Sequence, residues 1–107
     1  MRIIYRGRQT GRTNELIQLA AEAITNGELV YIVCATRDRA QMIARKAEEL
    51  NLQIQYPPDY DEFLSKQWFS RHIDRFYIDD VEHLIQYLGN GKVAAITLEK
   101  QEDELDY

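Results

Sequence analysis

Cysteine occurs once in this chain, at Cys34, so no internal disulfide can form and a reducing, cytoplasmic setting is expected. Cys34 lies inside an apolar run, where a buried small side chain is the ordinary role. No run of about 18 apolar residues is present, so no transmembrane helix is expected. Only three apolar residues separate Arg2 from Arg6, which reads as a strand rather than a signal peptide. Proline is confined to Pro57-Pro58. Repeats, low-complexity segments and linker-like stretches are missing, and 107 residues are expected to form one domain. Acid is absent before Glu15, although the chain as a whole carries a net charge of −5. That balance argues against a general nucleic-acid binder.

The charge that is present is uneven. Arg2, Arg6, Arg8 and Arg12 crowd the start, whereas Glu99, Glu102, Asp103, Glu104 and Asp106 outnumber Lys100 at the end. Residues 99–107 therefore read as a solvated acidic tail following a domain at 1–98. Folding of that tail over the arginine-rich start is the alternative.

Four apolar runs, at 3–5, 29–35, 76–78 and 93–98, read as strands, with 54–56 as a short fifth stopped by the prolines. They are continuous rather than alternating, which suggests burial on both faces in a parallel sheet. Between them the apolar period becomes helical. Leu16, Ile17, Ala20, Ala23 and Ile24 form one stripe, closed by Asn26-Gly27. Ala40, Ile43, Ala44, Ala47 and Leu50 form a second; Val81, Leu84, Ile85 and Leu88 form a third, closed by Gly89-Asn90-Gly91. A short helix with Phe63 and Leu64 is expected within 59–70. The alternation implies an α/β fold, a three-layer αβα sandwich around a mainly parallel sheet of about five strands. Ligands of such sheets bind beyond the carboxyl ends of the strands.

Two clusters fall at strand ends. After the first strand the chain reads Arg6-Gly-Arg-Gln-Thr-Gly-Arg-Thr13 and enters a helix. Gly7 and Gly11 allow positive φ, and the N–H groups of the loop and helix start would face an anion. Arg8, Gln9, Thr10, Gly11, Arg12, Thr13 and Asn14 are the candidate phosphate-binding residues. The structural alternative is a strand-to-helix turn with exposed arginines. The second cluster is Asp79-Asp80, following the apolar Phe76-Tyr-Ile78. Two carboxylates there need cations or hydrogen bonds. Asp79 would hold magnesium together with Thr13, and Asp80 would orient an attacking water. Helix N-capping by either aspartate is the alternative.

With both clusters in place the chain resembles P-loop NTPases, closest to the N-terminal ATPase core of phage large terminases and superfamily-two helicases. Residues 6–13 resemble the Walker A loop, with Arg12 in place of its lysine, and residues 76–80 resemble Walker B, with Asp80 in place of its glutamate. Residues 31–44 resemble helicase motif Ia, and Thr97 falls near the motif III position. The resemblance implies a minimal RecA-like fold in a small phage-type protein of the host cytoplasm. It implies ATP or another nucleotide with Mg2+ as cofactors, Thr13 and Asp79 as metal ligands, and Arg12 and Asp80 as catalytic residues. The departures at Arg12 and Asp80, and the want of a second RecA-like domain, reduce the expected activity to nucleotide binding with weak or partner-dependent hydrolysis. The alternative is an inactive scaffold that binds protein or nucleic acid. No membrane partner is expected, and a homo-oligomer would supply an arginine in trans, from Arg71 or Arg75.

Other residues carry less. His72 and His83 lack metal-ligand spacing, Trp68 and Phe69 read as core rather than as base-stacking platforms, and Arg37 and Arg39 fit an exposed helix start as well as a nucleic-acid contact.

Overall fold

The computed structural model of the protein describes residues 1–4, 11–65, 68 and 72–99. Helix α1 spans Arg12–Thr25. It starts at Gly11, whose φ of 79° and ψ of 18° lie in the left-handed region that glycine adopts without Cβ strain. It ends where Asn26 N–H returns to Glu22 and Ala23 and Gly27 turns to φ 89°. Strand β1, Val30–Val33, follows. Helix α2, Arg37–Glu49, is capped by Thr36, whose Oγ1 accepts from Arg39 N–H at 3.1 Å. Helix α3, Tyr60–Leu64, carries a reciprocal capping box between Asp59 and Glu62. Strand β2, Arg75–Ile78, and helix α4, Val81–Leu88, complete the described elements.

β2 pairs with β1 in parallel, Val30 opposite Arg75 and Val33 opposite Ile78. The chain crosses between them through α2 and α3. Alternation along β1 separates two packed faces. Val30, Ile32 and Cys34 join Ile17, Ala20 and Ala23 of α1 and Ala40, Ile43 and Ala47 of α2 in one core. The alanines bring the two helices close to each other and to the strand. On the other face Tyr31 meets Trp68 at a centroid distance of 5.0 Å and Phe76 at 6.5 Å, and Phe63 of α3 meets Phe76 at 5.0 Å. Trp68 thus packs among aromatic rings, and its indole N–H donates to the Glu62 carbonyl at 2.8 Å.

The structure corrects the expected architecture. The described residues form four helices and a two-stranded parallel sheet, too few strands for the five-stranded RecA-like αβα sandwich. Ile4 makes a bridge, Tyr5, which ends the first expected strand, lies outside the described residues, and residues 54–56 and 93–98 are not strands. The physical reason is pairing. Residues 93–98 have apolar composition, but Ile96 and Leu98 stay 47% and 50% exposed, and strand preference is realised only against a neighbouring strand and a covered face. Residues 54–56 run directly into Pro57, which cannot donate to a ladder; Ile54 instead packs as a single side chain against the helical core. Among the described residues no helix is long and apolar enough to cross a membrane.

Candidate functional site

The two-stranded sheet, though small, brings three chain segments together at the carboxyl end of its strands. Asp79 N–H donates to the Val33 carbonyl at 2.9 Å, extending the ladder one residue past β2. Its side chain is thereby turned inward and is only 5% exposed. A buried carboxylate needs partners, and Asp79 has two. The Thr13 hydroxyl, in the first turn of α1, donates to Oδ1 at 3.4 Å, and Arg39 Nε, in the first turn of α2, donates to Oδ2 at 3.0 Å. Arg39 Nη2 also donates to Thr13 Oγ1 at 2.9 Å, closing a triangle of threonine, aspartate and arginine.

Asp80 sits at the N-cap position of α4 with φ 60° and ψ 73°, a left-handed conformation strained for a residue with a Cβ. Its side chain makes no capping hydrogen bond, so the capping alternative is not realised. The carboxylate instead lies 3.6 Å from Arg12 Nη2 and 3.5 Å from His83 Nδ1, and its carbonyl accepts from the Tyr60 hydroxyl at 3.2 Å. Tyr60 is anchored in turn by the ring of Tyr87, whose hydroxyl bonds Asp61.

Two buried groups register the local field. Burial, reinforced by Asp79 and Asp59, pushes the Cys34 thiol up to about 11. Burial, reinforced by Asp80 and Asp79, pushes the Tyr60 phenol up to about 12. Both stay protonated at neutral pH, so Cys34 is a packed thiol rather than a nucleophile.

Of the sequence candidates, Gly11, Arg12, Thr13, Asp79 and Asp80 converge here. Arg8, Gln9 and Thr10 lie outside the described residues. Gly11 is required for its φ rather than for room, since an added Cβ would meet no atom of the described residues within 4 Å. The Asn14 amide oxygen is buried and accepts no hydrogen bond from the described residues. Arg75 is at the far end of β2, paired with Glu28 at 3.0 Å, and Arg71 is outside the described residues. Thr97 lies in the exposed 94–99 segment. Arg37 turns toward Asp59 at 3.9 Å. Away from this cluster, a cleft of about 460 Å³ lies between the later turns of α1 and residues 51–53, but it gathers no cations.

Arg39 is the residue that sequence reasoning undervalued. One signal pointed to it: cations are disfavoured in the first turn of a helix, where the macrodipole is positive. An arginine there, just past a strand end, needs a compensating anion, and Asp79 is that anion.

Magnesium held between Thr13 and Asp79 does not fit this arrangement. Two oxygens that share such an ion lie about 3 Å apart. The 3.4 Å between Thr13 Oγ1 and Asp79 Oδ1 would accommodate it, but the Arg39 guanidinium already bridges these two side chains. Among the described residues no group of three or more His, Cys, Asp or Glu side chains is placed to hold a metal.

The charges of Arg12 and Arg39 balance those of Asp79 and Asp80, so the site is a neutralised ion-pair cluster at a helix N-terminus. No protein-family model, curated protein or solved structure matches the chain.

Proposed function

We propose that this chain binds the phosphate groups of a nucleotide, ATP being the first candidate, at the turn from Gly11 into α1, and does not hydrolyse them on its own. The observation that carries this reading is the convergence of Thr13, Asp79 and Arg39 with the Arg12–Asp80 pair at one sheet end, beside the start of α1, whose first N–H groups have no partner within the helix. An anion entering there meets two guanidinium groups and a helix start. The aspartates serve to hold the arginines in place. Arg12 is 41% exposed and so is free to shift from Asp80 to a ligand.

Thermal unfolding with and without millimolar ATP, beside the same concentration of sulfate, tests the reading. A site filled at about 100 times its dissociation constant gains about 2.7 kcal/mol, a rise of several degrees for a domain of this size. The rise should shrink in Arg12→Ala. No rise, or one that sulfate reproduces in full, would retire nucleotide binding.

A second reading, a scaffold that docks a protein partner, is favoured by one observation: α4 has no buried residue, and Val81, Tyr87, Leu88, Ile96 and Leu98 are all exposed.

A further inference from the structure

We infer that Arg39 is a built-in cation that replaces a divalent metal between Thr13 and Asp79, so that the phosphate site operates without metal. The choice of ligand rests on the phosphate-binding reading above; the identity of the cation rests on geometry alone.

One planar guanidinium donates through Nε to Asp79 Oδ2 at 3.0 Å and through Nη2 to Thr13 Oγ1 at 2.9 Å. It is thus in direct contact with the two side chains expected to hold the ion. Its position is fixed from both sides. The Arg39 backbone N–H is held by Thr36 Oγ1, and Asp79 is held by its backbone bond to Val33. Asp79 is 5% exposed and therefore requires a counter-charge. The Arg39 side chain, by contrast, is 37% exposed, so it is reachable from solvent while paired.

Guanidinium carries five N–H donors. Two are used on Asp79 and Thr13, and the other three meet no described residue. They are available to phosphate oxygens, which guanidinium recognises well. A guanidinium also differs from a metal in what it withholds. It has no coordination position for water and does not lower the pKa of a bound one, as a metal ion does. A site built this way binds phosphate and leaves it intact.

The experiment uses the full chain, with MnCl2 as metal probe and ATP as phosphate probe. In the wild type, the ATP-induced rise in unfolding temperature should be the same in EDTA as in MnCl2, and the electron paramagnetic resonance spectrum of Mn2+ without nucleotide should remain that of the free ion. Arg39→Gln should unfold at a lower temperature, recover several degrees on adding Mn2+, and broaden the Mn2+ signal. The double variant Arg39→Gln/Asp79→Asn should show neither response. Wild-type binding of Mn2+ that Asp79→Asn abolishes, or an ATP shift that vanishes in EDTA, would overturn the inference. So would an Arg39→Gln protein indifferent to Mn2+. If Arg39→Gln does not fold, the wild-type arms and Asp79→Asn decide: a wild-type Mn2+ signal that Asp79→Asn abolishes overturns the inference, and a free-ion spectrum with an EDTA-independent ATP shift upholds it. Absence of any ATP shift, with the Mn2+ results as expected, would remove the nucleotide reading and keep Arg39 as the resident cation.

Discussion

Residues 12–49 and residues 81–99 carry the same kind of sequence, an amphipathic helix beside an apolar run, yet they end in opposite states. In the first, Ile17, Ala20, Ala23, Val30, Ile32, Ala40, Ile43 and Ala47 are all buried. In the second, α4 buries no residue and 94–99 is exposed. The difference is a facing surface. α1, β1 and α2 offer each other complementary apolar stripes lined with alanine, whereas α4 is at most half-buried, its Tyr87 meeting Tyr60 and Asp61 and its Gln86 bonding Val93. A periodic pattern states which face can be buried; burial itself needs an opposing face. The candidate site lies on the seam, with Thr13 and Arg39 from the first region and Asp79 and Asp80 at the entrance to the second.

The contrast can be broken most directly by truncation. Ile43→Ala should cost about 2–5 kcal/mol, the range for a fully buried aliphatic side chain, and Leu88→Ala less than about 0.5 kcal/mol. Urea denaturation of both variants decides it, and equal losses would mean that α4 is packed as tightly as α2. At the seam, Arg39→Ala should cost about 1–3 kcal/mol, because it leaves a buried carboxylate unpaired. Asp79→Ala should cost less, since the arginine it frees already reaches solvent. The reverse order would show that Asp79 finds another counter-charge.

The turn into α4 sharpens the comparison further. Asp80 is left-handed, so Asp80→Gly should be more stable than Asp80→Ala by about 1 kcal/mol. Equal stabilities would place this turn in an ordinary conformation.

The smallest effect, read at pH 9, is alkaline. The folded thiol of Cys34 and the folded phenol of Tyr60 hold their protons to about 11 and about 12, against 9.0 and 10.0 for unperturbed groups. The folded state therefore binds more protons than the unfolded chain in this window. Their contribution to stability is complete below about pH 9 and is lost as pH rises toward 12. At pH 9 the loss should be about half a kcal/mol, mostly from Cys34. Tyr60→Phe should flatten the later part of the decline, and native Cys34 should resist iodoacetamide at pH 8. A stability curve flat to pH 11 would contradict both shifts.

The helices were legible because each joins a 3.6-residue stripe to a stop signal, as with the Asn26-Gly27 pair that ends α1. The parallel pair was legible from continuous Val, Ile and Tyr flanked by helical stripes. The extra strands do not form because composition is not pairing: 93–98 has strand-like residues, and among the described residues no strand pairs with it. Within the candidate site, Asp79 was legible from its place after a strand, because the carboxyl ends of parallel strands open on one edge, and Thr13 from its place at the start of a helix that follows a glycine. Arg39 was not singled out, since a charged residue at a helix start ordinarily faces water.

Local sequence thus determined the helices, the two core strands and the identity of the acids and hydroxyl at the sheet end, because propensity, periodicity and capping act over a few residues. Tertiary structure alone decided which apolar runs are covered and which cation neutralises Asp79. Arg39 and Asp79 are 40 residues apart, and only the parallel register of β1 with β2 brings the start of α2 against the residue that follows Ile78.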